Sequence, residues 1–306
     1  MKNIKTKNII NCPLCKKNKT NIIYDFNKYK ILKCKNCGFC YLSPRPVSAE
    51  ELYKNDYFDE KYSLEKSDFQ EINKKINENK AMIKNVLKFK KNGEFLEIGS
   101  NYGFFLAVAS ANGFNTTGVE INSRCAEFAE KVLNLKIVNE NIENVNFPEK
   151  KFDVIFMSHV LEHFDNVIDK FKKINSWLKD DGIIVIKVPD FECLESKRDK
   201  EKYRGLSVPY HYSHFTLKTL KKLANIISLK VIFIDIWIDY KVSEKIFFMK
   251  KLIKKQNEQL KFDSEKLNIP KVYYKEDFIS KLKHFIKTKL LFYFRGRSIT
   301  VIMKKK

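Results

Sequence analysis

Two acids flanking a short turn are the residues of this chain most suited to chemistry. Glu97 lies in the apolar run Glu94-Phe95-Leu96-Glu97-Ile98, and the turn Gly99-Ser100-Asn101-Tyr102-Gly103 leads from it into Phe104-Phe105-Leu106. The apolar spacing changes there from that of a strand to that of a helix, so the stretch reads as strand, tight turn, helix. Gly99 and Gly103 allow a sharp bend and a close approach to a ligand, and Asn101 is among the few other residues that tolerate a positive φ. Glu120 ends a second short strand in Gly118-Val119-Glu120-Ile121, about twenty residues after the turn, a spacing that suits a ribose. In an open α/β sheet, ligands bind at the carboxyl ends of the strands, and the N–H groups of such a turn face them. Turns of this kind also occur for packing alone.

A second chemistry is written in cysteine. Cys12-Pro13-Leu14-Cys15 is followed, eighteen residues on, by Cys34-Lys35-Asn36-Cys37. Two such pairs can offer four thiolates tetrahedrally to Zn²⁺, and four protein ligands leave no open position, which makes the site structural. The alternative is a set of redox or unliganded thiols. Cys40, in Phe39-Cys40-Tyr41-Leu42, alternates as a strand residue does. A small zinc ribbon of this kind can bind nucleic acid, a partner or its own catalytic domain.

The chain has 306 residues, 44% of them hydrophobic, enough for a buried core. It has no apolar run of the length a membrane span needs and no apolar N-terminal core of a signal peptide, so a cytoplasmic location is expected. The seven cysteines then read as thiolate ligands and buried thiols rather than disulfides. The net charge is +22, and residues 241–306 alone hold 19 Lys/Arg against 6 Asp/Glu. A basic balance points to nucleic acid or an anionic membrane, while a solvated lysine-rich face accounts for it equally well.

These groups need elements to position them. Ile72, Ile76, Met82, Ile83, Val86 and Leu87 predict a helix over 64–91 that delivers the chain to the first strand. Asn122-Ser123 caps a helix through Cys125, Phe128, Ala129 and Val132-Leu133, and Lys136-Ile137-Val138 forms the third strand. Phe152–Met157 is the fourth strand, a helix closing at Trp177 and Leu178 follows, and Ile183–Pro189 is a buried fifth strand. Thr216 can cap a helix through Leu217, Leu220 and Leu223. Val231–Trp237 and Ser298–Met303 are the last strands, with helices expected over 242–260 and 278–294. Lysines 281, 283, 287 and 289 flank the apolar stripe of the second helix, which could lie on an anionic membrane surface or pack back onto the domain.

A carboxylate before the loop and the missing middle glycine fit an amino-bearing ligand such as S-adenosylmethionine better than a dinucleotide. At these residues the chain resembles the class I S-adenosylmethionine-dependent methyltransferases, and Ile98-Gly99-Ser100-Asn101-x-Gly103 is closer still to bacterial sugar C-methyltransferases. Cysteine ribbon, Pro44-Arg45-Pro46 and the Tyr57-Phe58 pair, in that order, look like the N-terminal module of methyltransferases commonly encoded with bacterial surface-polysaccharide genes. The resemblance implies an α/β, Rossmann-like seven-stranded sheet with helices on both faces. It implies cofactor contacts from Glu97, Gly99, Ser100, Asn101, Gly103, Glu120, Asn141, Ile142 and Ser158, with Asn141 standing where the family usually has Asp. Tyr57 would face cofactor or substrate, and His211 falls on the general base of the sugar C-methyltransferases, although Tyr210 and His214 replace the residues that accompany it there. Val160-Leu161-Glu162-His163 matches a family segment in which the Glu-His pair begins a helix and chiefly holds the fold.

The resulting expectation is a zinc ribbon over 1–46, a linker or lid and helix over 47–92, and a methyltransferase domain over 93–306 with a helical insertion at about 241–297. Methyl transfer by direct displacement needs alignment and, for some acceptors, a base, but no catalytic metal. The expected partner is a small-molecule or glycan substrate, a sugar by analogy. One rival is an RNA or protein methyltransferase that uses ribbon and basic C-terminal region to hold a macromolecule; the other is a non-catalytic binding protein.

Overall fold

The computed structural model describes residues 5–47, 69–237 and 298–306. Tyr57, the two basic helices expected over 242–260 and 278–294, and the insertion at 241–297 lie outside them. The N-terminal part holds β1 (Thr6–Lys7), β2 (Thr20–Phe26), β3 (Tyr29–Cys34), β4 (Cys40–Ser43) and β5 (Arg45–Pro46). Then come α1 (Phe69–Val86), β6 (Gly93–Ile98), α2 (Phe104–Ala111), β7 (Phe114–Val119), α3 (Ser123–Lys131), β8 (Ile137–Val138) and β9 (Phe152–Ser158). A 3-10 turn over Leu161–His163 leads to α4 (Val167–Ser176), β10 (Leu178–Pro189) and α5 (Leu194–Asp199). Last are β11 (Ser213–His214), α6 (Leu217–Ile226), β12 (Leu229–Trp237) and β13 (Ser298–Lys305).

Seven strands form one sheet in the order β12-β13-β10-β9-β6-β7-β8. The five from β10 to β8 run parallel, and β13 lies antiparallel between β10 and β12. The apolar runs of β9 and β10 are continuous because both faces of a parallel sheet are covered. On one face Phe95, Val154, Phe156, Ile183, Val185 and Ile302 pack with Met82, Ile83 and Val86 of α1 and Phe105, Leu106 and Ala109 of α2. On the other, Leu96, Ile98, Ile155, Met157, Ile184 and Ile186 meet Phe171 and Ile174 of α4 and Leu220 and Leu223 of α6. Pairing of β6 with β7 sets Glu97 opposite Gly118 and Ile98 opposite Val119, so Glu97 and Glu120 emerge at one sheet edge.

Three helix limits differ from the spacing. Within the described residues α1 stops at Val86, short of residue 91. Helix α3 stops at Lys131, and Val132 behind it is largely exposed although apolar. Helix α4 stops at Ser176, since the Trp177 carbonyl accepts a hydrogen bond from Phe152 N–H and Leu178 pairs with Phe152 as the first residue of β10. Asn122 and Thr216 do cap α3 and α6 through their side-chain oxygens, Thr216 in a reciprocal box with Thr219.

The N-terminal strands form a second sheet, ordered β11-β4-β3-β2. Its fourth strand comes from far along the chain, with Ser213 opposite Tyr41 and His214 opposite Cys40. Cys12, Leu14, Cys34, Cys37, Phe39 and Tyr41 share one buried cluster with the α4 and α6 face of the large sheet. The Phe39 ring lies 5.3 Å from that of Phe215. Removing a fully buried aromatic leaves a cavity, so Phe39→Ala should lower the stability of the whole chain by about 3–5 kcal/mol. Urea unfolding read by tryptophan fluorescence checks this. A main transition left at the wild-type midpoint would show that the two sheets are energetically separate.

Candidate functional site

The turn between β6 and α2 is held open by its backbone. Gly99 has φ 72°, and a Cβ there would lie 2.5 Å from a Val160 methyl. Asn101 has φ 48°, and Gly103, the N-cap of α2, has φ 76°. Glu120 fastens the turn: one carboxylate oxygen accepts from Asn101 N–H at 2.7 Å and the other from Asn122 N–H at 2.8 Å. Each oxygen keeps a lone pair for a further donor. Glu97 and Glu120 are both 4% exposed. Burial, then the charge of Glu120, pushes the Glu97 carboxyl well above the usual carboxylate range, and burial raises Glu120 against the pull of its backbone donors.

Above this edge lie two adjoining cavities. The larger, about 330 Å³, is lined by Gly99, Asn101, Glu120, Asn141, Ile142 and Ser158 among the expected residues, and also by His159, His163, Phe164 and Lys170. The smaller, about 220 Å³, is lined by Glu97, Gly99, Ser100, Asn101 and Ser158, together with Glu78, Tyr102 and Lys187. Gly99, Asn101 and Ser158 border both, and Gly103 borders neither. One Glu97 carboxylate oxygen and the Ser100 hydroxyl are buried with no hydrogen-bond partner among the described residues. Orphaned buried oxygens are costly, and an ammonium-bearing ligand would satisfy them. The Asn141 amide oxygen accepts from Glu143 N–H at 3.1 Å, which folds the loop at the far wall of the larger cavity.

His159 and His163 stand on the wall of the larger cavity, and Glu162, His211 and His214 lie close to them outside its lining. His159 has φ 57°, its N–H is held by the Lys187 carbonyl, and its Nδ1 lies 3.3 Å from a Glu162 carboxylate oxygen. His163 lines the larger cavity, with Nδ1 2.9 Å from the Tyr210 carbonyl. His211 does not line either cavity. It stands behind His163, ring against ring at 4.7 Å and nearly perpendicular, with Nδ1 2.8 Å from the Gly205 carbonyl. Burial pushes His211 down to about 4 and His214 down to about 3, so both imidazoles are neutral at neutral pH. Burial disfavours ionisation of Glu162, but the His159 hydrogen bond and the positive charge that His211 carries at acid pH are among the causes that outweigh it and lower the carboxyl to about 2. His159, His163, Lys170 and Lys187 were not singled out as site residues by sequence; Glu162-His163 was legible as a motif, but its place beside the cavity was not.

The four paired cysteines converge as their spacing requires. Cys12 Sγ lies 3.6 Å from Cys37 Sγ, and Cys15 Sγ 3.5 Å from Cys34 Sγ. All four sulfurs fall within 4.8 Å of one another. A tetrahedron with Zn–S bonds of about 2.3 Å has sulfurs about 3.8 Å apart, so the set can close on zinc. Cys40 is a buried residue of β4 whose thiol donates to the Gly38 carbonyl, outside the cluster.

Residues 70–232 match the family described as methyltransferase domain, and the chain belongs to that family. The sheet order and helix placement are those of the class I, Rossmann-like methyltransferase fold. The chain superposes on an S-adenosylmethionine-dependent methyltransferase from Archaeoglobus fulgidus with a TM-score of 0.50 and 19% identity, covering 74% of this chain and 92% of that one. It superposes on phosphoethanolamine N-methyltransferase 2 from Haemonchus contortus, in complex with S-adenosyl-L-methionine, with a TM-score of 0.50 and 17% identity, over 87% of this chain and 62% of that one. In sequence it is 32% identical over 102 residues to (S)-coclaurine N-methyltransferase of Papaver somniferum, 30% of this chain and 28% of that protein. It is 30% identical over 138 residues to an uncharacterized protein of Methanocaldococcus jannaschii, 44% of this chain and 64% of that protein. The chain thus matches less than two thirds of the length of either curated relative.

The buried acid at the edge has a pH consequence. Because the fold raises the Glu97 pKa, the native state holds that proton more tightly than the unfolded chain, and stability falls as pH rises from the ordinary carboxylate value through the folded one. Glu97→Gln removes that ionisation. Without added ligand it should stabilise the chain at pH 8 by roughly 1–3 kcal/mol, the cost of a buried unpaired polar group, with the gain vanishing toward pH 4.5. Thermal melts of both proteins across this range test it, and a difference independent of pH would show that Glu97 does not titrate as described.

Proposed function

We propose that this chain is an S-adenosylmethionine-dependent methyltransferase whose acceptor is a sugar, as a nucleotide sugar or a surface-glycan residue. The observation that carries the reading is the pair of buried carboxylates, Glu97 and Glu120, on adjacent strands around the Gly99–Gly103 turn and against the two cavities. S-adenosylmethionine, when bound, supplies an activated methyl group. Glu120 would accept hydrogen bonds from both ribose hydroxyls, Asn141 and Ile142 would border the adenine, and Glu97 with Ser100 would hold the amino-acid end. Gly99, Asn101 and Gly103 would shape the turn against the cofactor, and Ser158 would stand where the two cavities meet. By resemblance His211 would be the base; among the described residues its ring packs on that of His163, which lines the larger cavity, and His211 itself lines neither cavity.

The sugar assignment is supported by resemblance in the segments Ile98–Gly103 and Tyr210–Thr216. Four cysteines within bonding reach support a structural Zn²⁺, and the packing of that ribbon against the chain's own core supports an internal role for it. A net charge of +22 is the observation behind the second reading, an RNA or protein substrate held by the ribbon and the basic C-terminal region.

Equilibrium titration should show S-adenosylmethionine binding that Glu120→Ala weakens by about 1–3 kcal/mol, the worth of hydrogen bonds to a charged group. Unchanged affinity in the variant would remove Glu120 from the site. A labelled-methyl screen over nucleotide sugars at two salt concentrations then separates the acceptors. Transfer to a sugar with little salt dependence supports the proposal, whereas transfer only to RNA, falling steeply with salt, replaces it. For the cysteines, metal analysis should find one thiolate-bound zinc per chain, retained in Cys40→Ser and lost in Cys15→Ser. Zinc that survives Cys15→Ser would exclude this ligand set.

A further inference from the structure

Glu162, His163 and His211 each bring one donor atom within 4.8 Å of the other two, and the set stands at the wall of the larger cavity, where His163 is exposed to it. Glu162 is 1% exposed, and one of its carboxylate oxygens has no hydrogen-bond partner among the described residues. The Nδ1 atoms of His163 and His211 sit against the carbonyls of Tyr210 and Gly205. A carbonyl only accepts, so both Nδ1 atoms carry the proton and both Nε2 atoms carry the lone pair. Imidazoles oriented by a carbonyl on one nitrogen are the form in which histidine binds metals. The frame is fixed from the other side too, since Tyr212 N–H donates to the Glu162 carbonyl and Leu42 N–H of the ribbon donates to the Tyr212 carbonyl.

We propose that Glu162, His163 and His211 form a second metal site, for a divalent first-row cation, set just behind the wall of the larger cavity that His163 lines. Two imidazoles and a carboxylate suit Mn²⁺, Fe²⁺, Co²⁺ or Zn²⁺, at bond lengths of about 2.0–2.2 Å for zinc, which would draw the three donors closer than they stand. Three protein ligands leave positions for oxygen ligands, which would enter past His163, the member of the set that lines the larger cavity. The ligand class is an acceptor hydroxyl or a vicinal pair of hydroxyls, whose acidity the cation would raise, the proton leaving to water. This role rests on the proposed methyltransferase function; binding of the cation does not.

The test is titration of the purified full chain, zinc-loaded at the cysteines, with Co²⁺. A second equivalent is expected, with ligand-field absorption and no sulfur-to-cobalt charge-transfer band, and its binding should be lost in His163→Ala and in His211→Ala. The wild-type spectrum decides the matter if either variant misfolds. No second equivalent in the wild-type protein, a thiolate spectrum for it, or full uptake by correctly folded variants would overturn the site. Glu120→Ala separates the two readings: it should lose S-adenosylmethionine affinity and keep the second Co²⁺. Wild-type protein that binds Co²⁺ in this way and no S-adenosylmethionine would keep the metal site and discard the methyltransferase reading.

Discussion

Two buried carboxylates at the edge of a parallel sheet set the terms for the rest of the structure. Glu97 and Glu120 lie on neighbouring strands, both almost wholly buried, and burial works against the ionisation of each. Burial leaves Glu120 to backbone N–H groups, and the turn from Gly99 to Gly103 has the shape that supplies one of them through Asn101. That shape needs positive φ at Gly99, Asn101 and Gly103, and it places the turn where a Cβ on Gly99 would collide with Val160. The residual cost, a Glu97 oxygen without a partner among the described residues, is one a cationic ligand would relieve.

The second organising feature is the path from the cysteine ribbon to the cavity wall. Strand β4 pairs with β11, Leu42 N–H reaches Tyr212, and Tyr212 N–H reaches the carbonyl of Glu162. The ribbon therefore completes its own sheet with the segment that carries His211 and His214, and the same hydrogen bonds hold the 3-10 turn that carries His163. Phe39 against Phe215 adds apolar contact to the same junction. Four cysteines that order the ribbon would, through these contacts, also order one wall of the cavity.

Much of this is legible in the residues themselves. The continuous apolar runs of β9 and β10 mark buried parallel strands, the Gly99–Gly103 turn and Glu120 mark a bend at the carboxyl edge of the sheet, and the two cysteine pairs mark a cluster of thiols, because each signal is confined to a few neighbouring residues or a fixed spacing. The helix ends are less legible: Val132 and Trp177 continue an apolar pattern past the point where the backbone leaves the helix, since strand pairing at Leu178 and an exposed turn at Val132 outweigh periodicity.

The sequence by itself determined the seven-stranded α/β class, the pair of acids at the sheet edge and the set of four cysteines. Only the tertiary structure decided that His211 stands behind His163 rather than in the cavity, that Glu162 joins them, and that the ribbon takes its last strand from Ser213-His214. Periodicity and turn chemistry act over a few residues, whereas these contacts join segments far apart in the chain. They are chosen by the burial of Phe39, Tyr212 and Phe215 and by the need to pair buried backbone groups, which no local pattern records.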